Sequence, residues 1–196
     1  MTSKQEQDRS HREGQEYPNI EIGDPREYSY FSREQVSSVL SGFGYGENMM
    51  RVHGLYLNTD RSISVGIWNA TQEEGHFIEK PVLRGVEQAE SIAQTMLASL
   101  VLAERMPQGQ SVRLTSIDVD YRNAAIPPIE LNTIVLLNES ENSRAVTCYG
   151  EVRCGDSMLS QGFVRGALLD RSISERLLER TARQQSGRTN LFTFKG

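Results

Sequence analysis

The sequence predicts an α+β domain in which one long helix is wrapped by a curved antiparallel sheet of about six strands. Three observations lead there. Residues 86–103 read as a helix that is apolar or small around almost its whole circumference, the mark of burial on nearly all sides. Four strand-like stretches follow it: "SVRLTSIDVDYR", "NTIVLLNE", "RAVTCYGEVRC" and "SMLSQGFVRGALL". Short links join the later ones, Gly155-Asp156 between the last two and "SENS" before them, and both suit tight hairpins between antiparallel neighbours.

The elements in order are these. Residues 1–18 are polar, lack the apolar core of a secretory signal, and carry too little apolar surface to offset their ordering entropy, so a disordered arm is expected. His11 in it is expected to be solvated. Ser32 and Gln35 form a capping-box pattern that opens a short helix, "REQVSSVL". After the glycine-rich turn "SGFGYG", "MMRVHGLYLN" and "SISVGIWNA" read as strands around "TDR". The long helix is expected to run to about Arg105, with Pro107 and Gly109 closing it. Ser172 and Glu175 suggest a second capping box, opening the amphipathic "ISERLLERTARQQ". Residues 172–196 are thus a C-terminal helix and tail. No internal repeat is present.

Composition narrows the function. The chain has 196 residues, 37% hydrophobic and 24% charged, which suits one ordinary domain with tails. No apolar run approaches the roughly 20 residues of a membrane span. A net charge of −5 argues against a general nucleic-acid binder. The two cysteines, Cys148 and Cys154, share one predicted strand and stand roughly 20 Å apart, beyond disulfide reach. With no second pair to complete a zinc site, neither a metal nor another cofactor is expected. Reduced thiols suit a cytoplasmic protein.

"GHFIEKPVLRGVEQAESIAQ", residues 75–94, carries the chemistry. The polar exceptions in the long helix, Glu87, Glu90, Ser91 and Gln94, cluster on one stripe of its first two turns. Glu87 can be explained by the helix macrodipole alone. Glu90, a turn deeper among small and apolar residues, is costly unless paired or neutral. A lone histidine such as His76 is more often structural than catalytic, and His53 is left structural.

The stretch resembles the active-site signature of the β-hydroxyacyl-ACP dehydratases, a family with the hotdog fold. The family pattern is G-H-F-P-x-x-P-x-x-P-G-V followed by a catalytic glutamate in E-A-x-A-Q. Gly75, His76, Phe77, Pro81, Gly85, Val86, Glu90, Ala93 and Gln94 fall in register, with Glu90 fourteen positions after His76. The likeness extends more weakly over residues 28–169, and Ile78, Glu79 and Arg84 depart from it.

The resemblance implies a hotdog acyl-thioester domain over residues 19–171 and a hydro-lyase that dehydrates 3-hydroxyacyl thioesters in fatty-acid or polyketide biosynthesis. It makes His76 the base, Glu90 the acid and the Gly85 N–H the oxyanion donor. Phe77, Val86, Ile92, Gln94 and Met96 are the candidate substrate-binding residues; Gln94 either orients Glu90 or simply packs. Lys80 and Arg84 are candidates for docking acyl carrier protein, or are solvated surface charges. Glu79 would be a second carboxylate near His76. The expected substrate carrier is acyl carrier protein or coenzyme A. The expected assembly is a homodimer, or a trimer of dimers, with His76 and Glu90 meeting across subunits. Two other readings stay open: a hotdog thioesterase, in which Glu90 activates water, and a non-catalytic acyl-binding module.

Overall fold

The computed structural model describes residues 17–76, 81–138 and 144–186. Among them are seven strands and three α-helices. The strands are β1 (Tyr28–Phe31), β2 (Gly54–Asn58), β3 (Ile63–Ala70), β4 (Gln110–Tyr121), β5 (Ile129–Asn138), β6 (Ala145–Cys154) and β7 (Ser157–Asp170). The helices are α1 (Arg33–Ser41), α2 (Gly85–Leu102) and α3 (Arg171–Ser186). One antiparallel sheet has the order β1-β2-β3-β5-β6-β7-β4, so β1 and β4 form its edges.

The predicted class holds, with a seventh strand added. β1 has only four residues and no buried position, so the alternation that marks a strand has no room to show. Its pairing with β2 makes it a strand. The stretch from 49 to 58 was expected to be one strand, but only Gly54–Asn58 is. Before it, the Met49 carbonyl and the Arg51 N–H are both bonded by the Gln94 side chain, so neither enters a ladder. α1 starts as expected: the Ser32 N–H donates to Gln35 Oε1 at 2.8 Å. α2 ends at Leu102, earlier than expected, and the chain leaves through Glu104 at φ 58°. α3 begins at Arg171, directly after β7, so Ser172 is inside the first turn and is not the cap that the pattern suggested.

α2 packs across one face of the sheet, against β2 to β7. It can sit close because Gly150 of β6 lies beneath it; a Cβ there would overlap the Ile92 side chain. Ile92, Ala93, Met96, Ala98, Leu131, Val135, Val152 and Val164, all 2% exposed or less, belong to this main core.

The other face is covered as well, which the sequence did not reveal. Tyr17 and Ile20 pack over Ile134, Tyr149 and Phe163 in a second, smaller cluster. The Tyr17 hydroxyl also donates to Asp120 Oδ2 at 2.5 Å. Tyr17, inside the stretch expected to be a free arm, is therefore packed on the sheet. The rest of that arm up to residue 16, the "SENS" link and the tail from 187 lie outside the described residues. Both cysteines lie on β6 and are free thiols. No described helix is long and apolar enough to cross a membrane.

Candidate active site

The signature segment is folded against α2 by two backbone pairs. The His76 and Val82 N–H groups each donate to the other's carbonyl at 2.9 Å. Leu83 then donates to Ala125 O at 2.9 Å, tying the segment to the chain that follows β4. Gly85 opens α2 because the Tyr121 ring lies against it; a Cβ there would collide with that ring.

Two carboxylates face different partners. Glu87 is 7% exposed at its side chain, accepts two hydrogen bonds from Arg84, and lies close to His76 and Arg51. Its Oε2 takes the Arg84 N–H at 2.9 Å, satisfying an orphan donor at the helix start. Its Oε1 lies 3.2 Å from Arg84 Nη2, 3.4 Å from His76 Nε2 and 3.7 Å from Arg51 Nη2. The helix dipole adds to these. Macrodipole stabilisation, the simple reading of Glu87, is thus one part of its surroundings.

Arg51 is the hub of this cluster. Its side chain is only 15% exposed, and Nη1 sits 3.3 Å from Glu74 Oε1. It also donates to the carbonyls of Asn48 and Met50, at 3.0 and 3.2 Å. Its guanidinium lies over the Trp68 ring, 5.4 Å from the centroid, in cation–π geometry. Two carboxylates, two carbonyls and an aromatic face take the place of most of the water around this half-buried guanidinium.

Glu90, half-buried one turn further on, accepts from Gln94 Nε2 at 3.3 Å. Gln94 is fully buried and also fixes the loop before β2: its Oε1 takes the Arg51 N–H at 2.7 Å and its Nε2 reaches Met49 O at 2.8 Å. The Tyr45 hydroxyl faces the same carboxylate. Burial first, then the hydrogen bond and charge of Glu90, push its pKa well above the ordinary tyrosine range, so it stays protonated and acts as a donor.

A cleft of about 510 Å³ opens at the start of α2, with Gly85, Val86 and Gln88 on one side and Tyr121, Arg122 and Asn123 on the other. Val86, 60% exposed, faces this space, and Gln88 Oε1 is buried without a hydrogen-bond partner.

The structure distributes the expected site residues as follows. His76, Gly85 and Arg84 gather at the start of α2, and Arg84, 57% exposed at its side chain, is tied to Glu87. Glu90 and Gln94 touch each other. The carboxylate that meets His76 within one protomer is Glu87, three positions before Glu90. Ile92 and Met96 are fully buried in the main core rather than on an open wall. Phe77 and Lys80, with Ile78 and Glu79, lie outside the described residues. His53 is half-buried; burial holds its pKa below the ordinary value, and its N–H donates to Ile67 O. Sequence reasoning missed Arg51, Glu74, Tyr45 and Trp68. The one available signal was Arg51 itself, a charge inside the apolar run "MMRV" that needs a partner when buried.

No family model and no curated protein matches the chain. Solved structures do. The fluoroacetyl-CoA thioesterase FlK aligns with TM-score 0.54 and 11% identity over 60% of this chain and 93% of its own. A Thermus thermophilus hypothetical protein, described as a thioesterase superfamily member, aligns with TM-score 0.55 and 14% identity over 63% and 92%. A FlK mutant with fluoroacetate bound gives TM-score 0.53 at 12% identity. At such identities the likeness establishes the hotdog fold. It also corrects the expectation of a hydro-lyase: the neighbours are named as thioesterases, which are hydrolases.

Proposed function

We propose that the chain hydrolyses acyl thioesters, with the Glu90 carboxylate activating the attacking water. The observation that carries this reading is the donor set around Glu90. The Gln94 amide and the protonated Tyr45 hydroxyl both present hydrogens to it. Two donors fix the orientation of the Glu90 carboxyl group, and an oriented carboxyl oxygen is what a general base at this position would use. The thioesterase neighbours support the same direction.

In this reading water attacks the carbonyl carbon while Glu90 takes one of its protons. The carbonyl electrons move to oxygen, and the backbone N–H groups at the start of α2, that of Gly85 foremost, receive the charge. When the carbonyl re-forms, the C–S bond breaks, its electron pair goes to sulfur, and the thiolate takes a proton from His76, which the proton taken up by Glu90 then replaces, so both residues end as they began. The products are the free acid and a thiol. Phe77 and Val86 remain the candidates to border the acyl group, with Gln94 behind Glu90 as the residue that orients it. Lys80 and Arg84 would meet the carrier, acyl carrier protein or coenzyme A. The proposed assembly is a homodimer through the edge strand β4, where Ile117 and Tyr121 are exposed apolar groups.

The test is thiol release from acyl thioesters of several chain lengths on both carriers. Hydrolysis is expected, and Glu90→Gln should lower kcat by about 100-fold or more. Unchanged turnover in that variant overturns the role of Glu90. Acyl binding with no thiol release by the wild type makes the chain a binding module instead.

A further inference from the structure

We infer that Glu87 is the positioning residue for His76, holding the imidazole by Nε2 so that Nδ1 is the nitrogen that exchanges a proton with the substrate. The functional part of this inference rests on the hydrolase reading; the geometric part does not. Three observations carry it.

First, the contact is specific. His76 Nε2 lies 3.4 Å from Glu87 Oε1, a long hydrogen bond between a side chain 40% exposed and one 7% exposed. The rigid partner is the carboxylate. Second, Glu87 cannot readily turn away. Its Oε2 is tied to the Arg84 N–H, and its Oε1 is held between Arg84 Nη2 and Arg51 Nη2. Arg51 is in turn fixed by Glu74, two carbonyls and the Trp68 ring. Third, the backbone at His76 is fixed by its reciprocal pair with Val82. The imidazole is thus anchored at its Cα and at one ring nitrogen.

An ionised carboxylate only accepts hydrogen bonds, so Nε2 must carry the hydrogen in the pair. In the neutral ring Nδ1 then has the free lone pair; in the cation Nδ1–H is the proton that can leave. Either way a buried carboxylate selects the working nitrogen, and precise placement of a proton-transfer group is worth large rate factors.

The test needs the full chain and two measurements. Nitrogen NMR of the ring at alkaline pH, with His76→Asn identifying the signal, should show the Nε2–H tautomer of His76. Kinetics on the acyl thioester that is turned over best should show Glu87→Gln lowering kcat by about 10- to 100-fold with KM nearly unchanged. In a His76→Asn background the same substitution should have no further effect. An Nδ1–H tautomer in the wild type overturns the inference. So does an equal loss in both backgrounds, because a merely structural Glu87 would damage both alike. If no thioester is hydrolysed the functional reading fails by itself, and the tautomer measurement still decides whether Glu87 holds His76 in this way.

Discussion

The first half of α2 and its second half bury different things with the same backbone. From Gly85 to Gln94 the helix takes Glu87, Gln88, Ser91 and Gln94 out of water. From Thr95 to Leu102 it buries mainly Met96, Leu97, Ala98 and Leu100, with Thr95 and Ser99 turned back on their own helix. The second half is held by apolar area, each contact small and replaceable by a neighbour. The first half adds to its own core residues, Ile92 and Ala93, a cluster of polar groups around the Glu87 charge, which is tolerable in burial because Arg84 and Arg51 are present. A site can be built on the first half for that reason. Its groups are rigid, polar and spaced for hydrogen bonds, while the second half supplies the stability that offsets their desolvation.

This contrast can be broken or sharpened by substitution. The largest effect is expected at Arg51. Arg51→Met leaves the Glu74 and Glu87 carboxylates without their shared cation and should cost about 4 kcal/mol in urea unfolding. Adding Glu87→Gln should give back part of that loss, whereas independent contributions would simply add. In the second half, Met96→Ala removes a fully buried side chain and should cost about 3 kcal/mol by the same measurement, with no such recovery from a second change. Ser99→Ala is smaller, about 1 kcal/mol: it deletes the 2.7 Å bond to Ser64 Oγ and leaves that buried hydroxyl without its Ser99 partner. The smallest effect is chemical. Burial in the main core pushes the Cys148 thiol up to about 12, so at neutral pH a thiol reagent should label Cys154 first and Cys148 only on unfolding. Rapid labelling of Cys148 in the folded chain would mean that the core beneath α2 opens to water.

A pH scan adds a comparison with the opposite face of the sheet. Burial, then the hydrogen bond to Asp120, push the Tyr17 hydroxyl up to about 12 from an ordinary value of 10.0. The folded state therefore binds this proton more tightly than the unfolded chain does. The stability it brings is fully present below pH 10.0 and lost as pH rises towards about 12. Melting curves of the wild type and Tyr17→Phe should differ below pH 10.0 and converge above it, unless the tyrosine is not anchored on the sheet.

Much of this molecule was legible before folding. The all-round apolar run of α2, the strand-like stretches that became β3 to β7 and the capping box of α1 are local signals, because backbone hydrogen bonds repeat every few residues and impose a period on the side chains. The Gly75-to-Gln94 register marked the segment that opens α2, and the last strands pair antiparallel as their short separations implied. Other features were not local. β1 is too short to show a period, and the cap pattern at Ser172 was displaced because β7 runs straight into α3.

By itself the sequence determined the class of fold, the buried helix and the stretch that holds the imidazole and the carboxylates. Only the tertiary structure decided the partners: Glu87 rather than Glu90 beside His76, Arg51 between Glu87 and Glu74, Gln94 gripping a loop more than forty residues away, and Tyr17 packed on the far face of the sheet. The reason is physical. A period along the chain says which side of an element seeks burial, but a charge or an amide settles on whichever distant group the packing brings within hydrogen-bond reach, and that depends on the whole fold.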